Sequence, residues 1–321
     1  MLKQPIYRVF LPLLIITMLA VGCGTESKNT SATPTPAPEP TTKVVKHLKG
    51  EAIISTNKDA KIAVLDYRLA DSMLALGMKP YAMTSYLGET DLEYMDGKPL
   101  PGVINLGDDI NLEAVLQADP DFIIARQGNA KVYDDLVKIA PTIILEESDD
   151  WRADLRKFAE ILDRTAEADK WLKQYTVEAE EAKKKVVAQV GAGKTAVIIR
   201  ATPKDYRIYG DDQQLGSIIY GDLGFTASDK VKEIKKQQSI SLEVLPEFDA
   251  DYIFVQIGMP VKGGDKDAEK KFAEMQESSL FKNMSAVKNN RVYIMPYWTL
   301  RDFPIINQKT VELVTTKLLS K

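Results

Sequence analysis

Along most of this chain, short runs of apolar residues alternate with stretches in which apolar positions recur every three or four residues. Ile62–Leu65, Tyr81–Tyr86, Phe122–Ala125, Ala196–Ile199 and Arg291–Met295 are four to six residues long and read as buried strands. Ala70–Leu76 and Leu215–Leu223 carry helical spacing and stop at Gly77 and Gly224. Trp151–Val190 contains no Gly or Pro, and Leu155, Phe158, Ala159 and Leu162 fall on one face. A helix from about Ala166 to Val190 would be roughly 37 Å long, enough to cross two small lobes. Strands that alternate with helices predict parallel α/β sheets.

The pattern is also duplicated. Asn111-Leu112-Glu113-Ala114-Val115, followed by Asp121 and the run from Phe122 to Ala125, matches Ser241-Leu242-Glu243-Val244-Leu245, followed by Asp251 and the run from Tyr252 to Val255. Asn111 and Ser241 are each placed to cap a short helix that holds the Glu in its first turn. The fold class this predicts is α/β: two Rossmann-like lobes with mostly parallel sheets, joined by a long backbone helix. The expected divisions are a leader at 1–22, a tether at 23–43, an N-terminal lobe at 44–150, a helical connector at 151–190 and a C-terminal lobe at 191–321. A stiff connector of this kind predicts modest opening and closing.

The first residues have a different character. Lys3 and Arg8 precede an uncharged run from Val9 to Val21, and Ala20-Val21-Gly22 leads into Cys23, the one cysteine of the chain. This is the order of an export signal, and about thirteen residues are too few to span a bilayer, which needs roughly twenty. The segment resembles a bacterial lipobox, with Ala20 where that motif usually has a larger aliphatic; Cys23 is then the lipidation site and the anchor in the bilayer. From Gly24 to Lys43 large apolar residues are scarce and Pro34, Pro36, Pro38 and Pro40 alternate with small or polar ones, so an unfolded tether reaching up to roughly 60 Å is expected. Loss of Lys3 and Arg8 with the leader takes the formal charge from −4 to −6. An acidic body without a basic stripe is no nucleic-acid binder.

With the Leu76–Tyr81 phrase, the duplicated phrase, Ser241–Glu247 and Ala286–Tyr293, the chain resembles the substrate-binding lipoproteins of iron–siderophore ABC importers, in the helical-backbone class that also holds cobalamin binders. The resemblance implies a lipid-anchored protein on the extracytoplasmic face of the cell membrane, acting with a permease dimer and its ATPase, with no cofactor and a ferric siderophore as cargo. It also implies that Glu113 and Glu243 meet permease arginines. A first-turn carboxylate suits that use, because the helix dipole favours it while its oxygens stay free for a partner. A monomer is expected.

Open α/β sheets bind at the carboxyl ends of their strands. The residues that follow the expected strands are Tyr67, Arg68, Arg126, Arg200, Tyr297 and Trp298, with Arg301 three places on and Gln256 opposite Arg126 through the repeat. Arginine forks and aromatic faces suit a bulky, oxygen-rich chelate whose iron is already coordinated. Both Arg126 and Arg200 should stand in solvent in the empty protein. His47, the single histidine, reads as a solvated residue beside the tether, which weakens bare zinc or manganese as cargo. Haem and cobalamin stay open, as does the siderophore class. A secreted hydrolase is disfavoured: Asp108-Asp109, Asp149-Asp150 and Asp211-Asp212 are adjacent acids that solvate turns, and no Ser–His pair or phosphate loop is present.

Overall fold

The computed structural model of the protein describes residues 41–320 apart from Glu93, Asp96, Gly97, Gln213, Pro260, Lys262 and Gly263. The leader, Cys23 and nearly all of the tether therefore lie outside the described residues. Thr42 and Lys43, expected in the tether, instead open a hairpin of β1 (Thr42–His47) and β2 (Gly50–Ser55). His47 at its turn is half-buried, which corrects the solvated reading. Its Nδ1 accepts the N–H groups of Lys49 (3.2 Å) and Ile144 (3.3 Å), its ring lies 5.5 Å from that of Tyr133, and burial lowers its pKa. The imidazole thus supplies an acceptor to the edge of the neighbouring sheet.

That sheet contains β3 (Ile62–Val64), β4 (Ala82–Met83), β5 (Ile104–Asn105), β6 (Phe122–Arg126) and β7 (Thr142–Leu145) in the order β5-β4-β3-β6-β7, and every pair is parallel. The second sheet runs β11-β9-β8-β12-β13, with β10 beside β8. Its strands are β8 (Thr195–Ala201), β9 (Tyr206–Tyr209), β10 (Thr226–Ala227), β11 (Gln237–Ile240), β12 (Tyr252–Ile257) and β13 (Val292–Ile294). Only β9 runs against its neighbours. The central strands are continuous buried runs because both faces of a parallel sheet are covered.

The duplication holds in three dimensions. Residues 111–120 and 241–250 share burial class at nine of ten positions. Asp121 accepts the N–H of Lys61 just before β3 (2.7 Å), and Asp251 accepts that of Thr195 at the start of β8 (3.0 Å). Asn111 caps Leu112–Ala118 as expected, accepting from Glu113 and Ala114. Ser241 does not cap an α-helix. Pro246 lacks the N–H that an α-helical bond to Leu242 requires, so this copy folds as the 3-10 turn Leu245–Phe248.

Trp151–Ile161 is a helix capped by Asp150, and Thr165–Val190 is the backbone helix, 26 residues long. It buries Ala168, Leu172, Tyr175, Ala179, Ala182 and Val186, one seam at alternating spacings of four and three. Through that seam a single apolar cluster runs from Val64 and Phe122 in the first sheet, past Phe158 and Tyr175, to Ile198 and Phe254 in the second.

Two expected elements differ. The Tyr81–Tyr86 strand shrinks to Ala82–Met83, and Tyr86 enters a tight turn. Leu215–Leu223 forms a wide π-turn at Ser217–Asp222, in which the Leu223 N–H reaches back five residues to Ile218 (2.8 Å). Gly216 starts it because a Cβ there would sit 2.1 Å from the Gly210 carbonyl oxygen. The turn carries Asp222 to the Tyr175 hydroxyl (2.5 Å) and to Arg152 (3.2 Å), which joins the second lobe to the connector.

Candidate ligand cleft

The cleft is assembled from strand ends. β3 and β6 are neighbours in register, Val64 beside Ile124, so Asp66 and Arg126 emerge side by side. Asp66 caps the Tyr67–Ala75 helix and accepts from the Arg68 N–H (2.9 Å), Arg68 Nε (2.8 Å) and Nη2 (2.5 Å), and Arg126 Nη1 (3.0 Å). Burial alone would push this carboxyl up, but the hydrogen bonds and charges of Arg68 and Arg126 outweigh it and hold the group below the usual carboxylate range. Arg126 Nε also donates to Glu147, and its guanidinium lies 5.3 Å from the Phe303 ring.

On the second sheet Arg200 pairs with Gln256 across β8 and β12. Arg200 is only 9 % exposed, which corrects the expectation of a solvated side chain, and Arg126 too is largely covered. Arg200 donates from Nε to the Gly258 carbonyl (3.2 Å) and from Nη1 to the Tyr209 hydroxyl (3.4 Å), and lies 5.1 Å from the Tyr297 ring. These partners are all neutral. Arg301 approaches the same ring at 4.9 Å and donates from Nη2 to the Tyr67 hydroxyl (3.2 Å), a contact from one lobe to the other.

Gln256 is 0 % exposed and so does not face the cleft. Its amide donates to Thr299 Oγ1 (2.7 Å) and to the Pro296 carbonyl (3.4 Å), fastening the Tyr297–Phe303 segment to the sheet. Trp298 meets Tyr94 edge-on at 6.4 Å and lines neither cavity described below. The far end of the segment is held by Asp71, 0 % exposed, which accepts the N–H groups of Ile305 (2.9 Å) and Ile306 (3.1 Å) at the start of the C-terminal helix Pro304–Leu319. Pro304 has no N–H, so Asp71 satisfies the next two donors of that helix from another element. Burial pushes the Asp71 carboxyl up to about 7 against these bonds.

Two cavities result. One, about 220 Å³, is lined by Arg68, Arg126, Glu147, Trp151 and Phe303; the other, about 200 Å³, by Arg200, Tyr209, Lys236 and Tyr297; Gln214, Leu300 and Arg301 border both. The structure thus brings Arg68, Arg126, Arg200, Tyr297 and Arg301 to one place, with Tyr67 joined through its hydroxyl. Sequence reasoning missed Glu147, Phe303 and Tyr209. Tyr209 closes the short antiparallel strand Tyr206–Tyr209, which is rich in aromatic and β-branched residues. Among the described residues no group of three or more His, Cys, Asp or Glu side chains is placed to hold a metal ion. His47 lies on the hairpin and lines neither cavity. The arrangement offers cations and aromatic faces. Glu113 and Glu243 are both exposed, each in its copy of the repeated unit.

The sequence profile of the periplasmic binding proteins matches residues 62–297, from the start of β3 to Tyr297. The chain belongs to that family. Among periplasmic binding proteins, it is 33 % identical over 325 residues to the iron(3+)-hydroxamate-binding protein FhuD of Bacillus subtilis (strain 168), covering 96 % of each chain. A FhuD fold-family crystal structure from Bacillus subtilis, described as a component of a ferrichrome ABC transporter, superposes with a TM-score of 0.75 at 30 % identity, covering 86 % of this chain and 100 % of that one. Staphylococcus aureus SirA complexed with staphyloferrin B gives a TM-score of 0.70 at 25 % identity, over 87 % and 98 %. The two-lobed α/β fold is the fold of these binding proteins.

Proposed function

We propose that this chain is the extracytoplasmic substrate-binding component of an ABC importer, and that it captures a ferric siderophore between its lobes and delivers it to a membrane permease. The observation that carries this reading is the meeting of two arginine- and aromatic-lined cavities at Arg301, in a chain that matches an iron-hydroxamate binder over nearly its whole length. A chelate lying across both would replace the Arg301–Tyr67 contact with its own oxygens. In this reading the protein acts by binding alone and uses no cofactor. The test is quenching of Trp and Tyr fluorescence by ferric hydroxamate, catecholate and carboxylate siderophores, with haem and cobalamin in parallel. Saturable quenching by one or more ferric siderophores is expected; a response to haem or cobalamin alone would replace this reading with that ligand.

The reading extends to the membrane. Cys23 is the lipid anchor of a monomeric body, and Glu113 and Glu243 dock on a permease dimer driven by its ATPase, the two equivalent carboxylates suiting two related subunits. Cys23→Ala should keep ligand binding and leave the membrane fraction; retention after leader cleavage would remove the anchor. The Glu113→Ala/Glu243→Ala double variant should bind like the parent and lose most siderophore uptake in cells. Parental uptake would rule out docking through these residues.

A further inference from the structure

Beyond the end of β4, Tyr86 and Glu89 exchange backbone hydrogen bonds of 2.8 and 3.1 Å around Leu87 and Gly88, whose φ angles are 52° and 92°. Two successive positive φ values belong to a tight hairpin turn in which Asn, Asp or Gly usually stands first. A leucine there is strained, and such strain persists only where the surroundings over-determine it. They do here. Asp108 Oδ1 accepts from the Gly88 N–H (2.8 Å) and from Ser85 Oγ (2.6 Å), and Asn105 Nδ2 donates to the Gly88 carbonyl (3.0 Å). None of these bonds uses the Leu87 side chain.

Leu87 is not drawn into the core either, for it is 38 % exposed. Its location gives it another use. The Tyr86 ring lies 4.9 Å from that of Tyr67, whose hydroxyl accepts from Arg301, the residue bordering both cavities. We propose that Leu87 is a ligand contact, held by the strained turn as an apolar rim on the Tyr86–Tyr67 platform, where it covers the hydrocarbon part of a bound siderophore. This rests on the siderophore reading above.

The test uses Leu87→Gly and Leu87→Asn in the full-length protein, both of which accept positive φ. Each should raise Tm by about 2 °C or more through relief of the turn. Each should also weaken the ferric siderophore that quenches the parent about tenfold, as loss of one apolar contact implies, and by the same factor at low and high salt. Parental affinity in a stabilised variant would show that Leu87 is only a tolerated residue and overturn the proposal, as would a fall in Tm in both variants. A parent that binds no ferric siderophore would instead overturn the functional reading, and this inference with it.

Discussion

Arg200→Ala should weaken binding of an anionic ferric siderophore about ten- to hundredfold, more than Arg126→Ala, and should also destabilise the empty protein by about 1–3 kcal/mol. The difference between the two arginines lies in their partners. Arg126 is held by Asp66 and Glu147, so most of its charge is answered before any ligand arrives. Arg200 touches a carbonyl, a phenol and a ring, and keeps its charge for the ligand. Hydrogen bonds to charged groups are worth roughly 1.5–3 kcal/mol net, which sets the size of the loss. The stability cost follows from burial, because the Gly258 carbonyl and the Tyr209 hydroxyl would each lose a donor. Titrations of both variants against a tris-catecholate and a neutral tris-hydroxamate, beside thermal unfolding, check this. Equal losses for the two arginines, or an equal loss for both ligands, would show that charge at Arg200 does not select the cargo.

The second large effect concerns pH. Asp71 titrates near 7 in the folded chain and near 3.8 when unfolded, so folding takes up a proton between those values. Its favourable contribution is complete below about pH 4 and is lost as pH rises through about 7. Over three pKa units this is on the order of 4 kcal/mol. Asp66 acts in the opposite sense, but its lowered pKa places its loss below the ordinary carboxylate range, outside this window. Asp302, which burial also pushes up, and His47, which burial pushes down, are common to parent and variant and cancel from the comparison. Denaturant unfolding at pH 5 and pH 8 should therefore show that the change from pH 5 to pH 8 is less favourable for the parent than for Asp71→Asn by a few kcal/mol. The same pH dependence in both proteins would mean that this carboxyl does not titrate between them.

Much of the architecture was readable because periodicity reports which faces are covered. The seam from Ala168 to Val186 and the repeat from Asn111 to Ala125 carry their burial in the spacing of their own residues. What failed depended on elements remote in sequence. Gln256 occupies the repeat position of Arg126, yet the Pro296–Thr299 segment folds over the end of β12 and covers it. His47 looked like a tether residue because nothing near it in sequence announces that β7, almost a hundred positions later, presents Ile144 to it. That the arginines would lie together was legible, since a strand end is a local feature. The carboxylates and rings that hold them, Glu147, Tyr209 and Phe303, come from loops and an added antiparallel strand, and the pairing of charges escaped with them.

The unbroken apolar cluster has a consequence for how this duplicated chain can be divided. The two sheets share one interior through Leu172, Tyr175 and Ala179, so neither can close its inner face alone. A cut between the repeats would strip Phe254 and Ile198 of cover on one fragment and Phe158 and Tyr175 on the other, and apolar surface of that extent drives association. The intact body should melt in one transition, with both sheets losing protection from hydrogen exchange together. A ligand gripping only one lobe would then protect the amides of the other equally well.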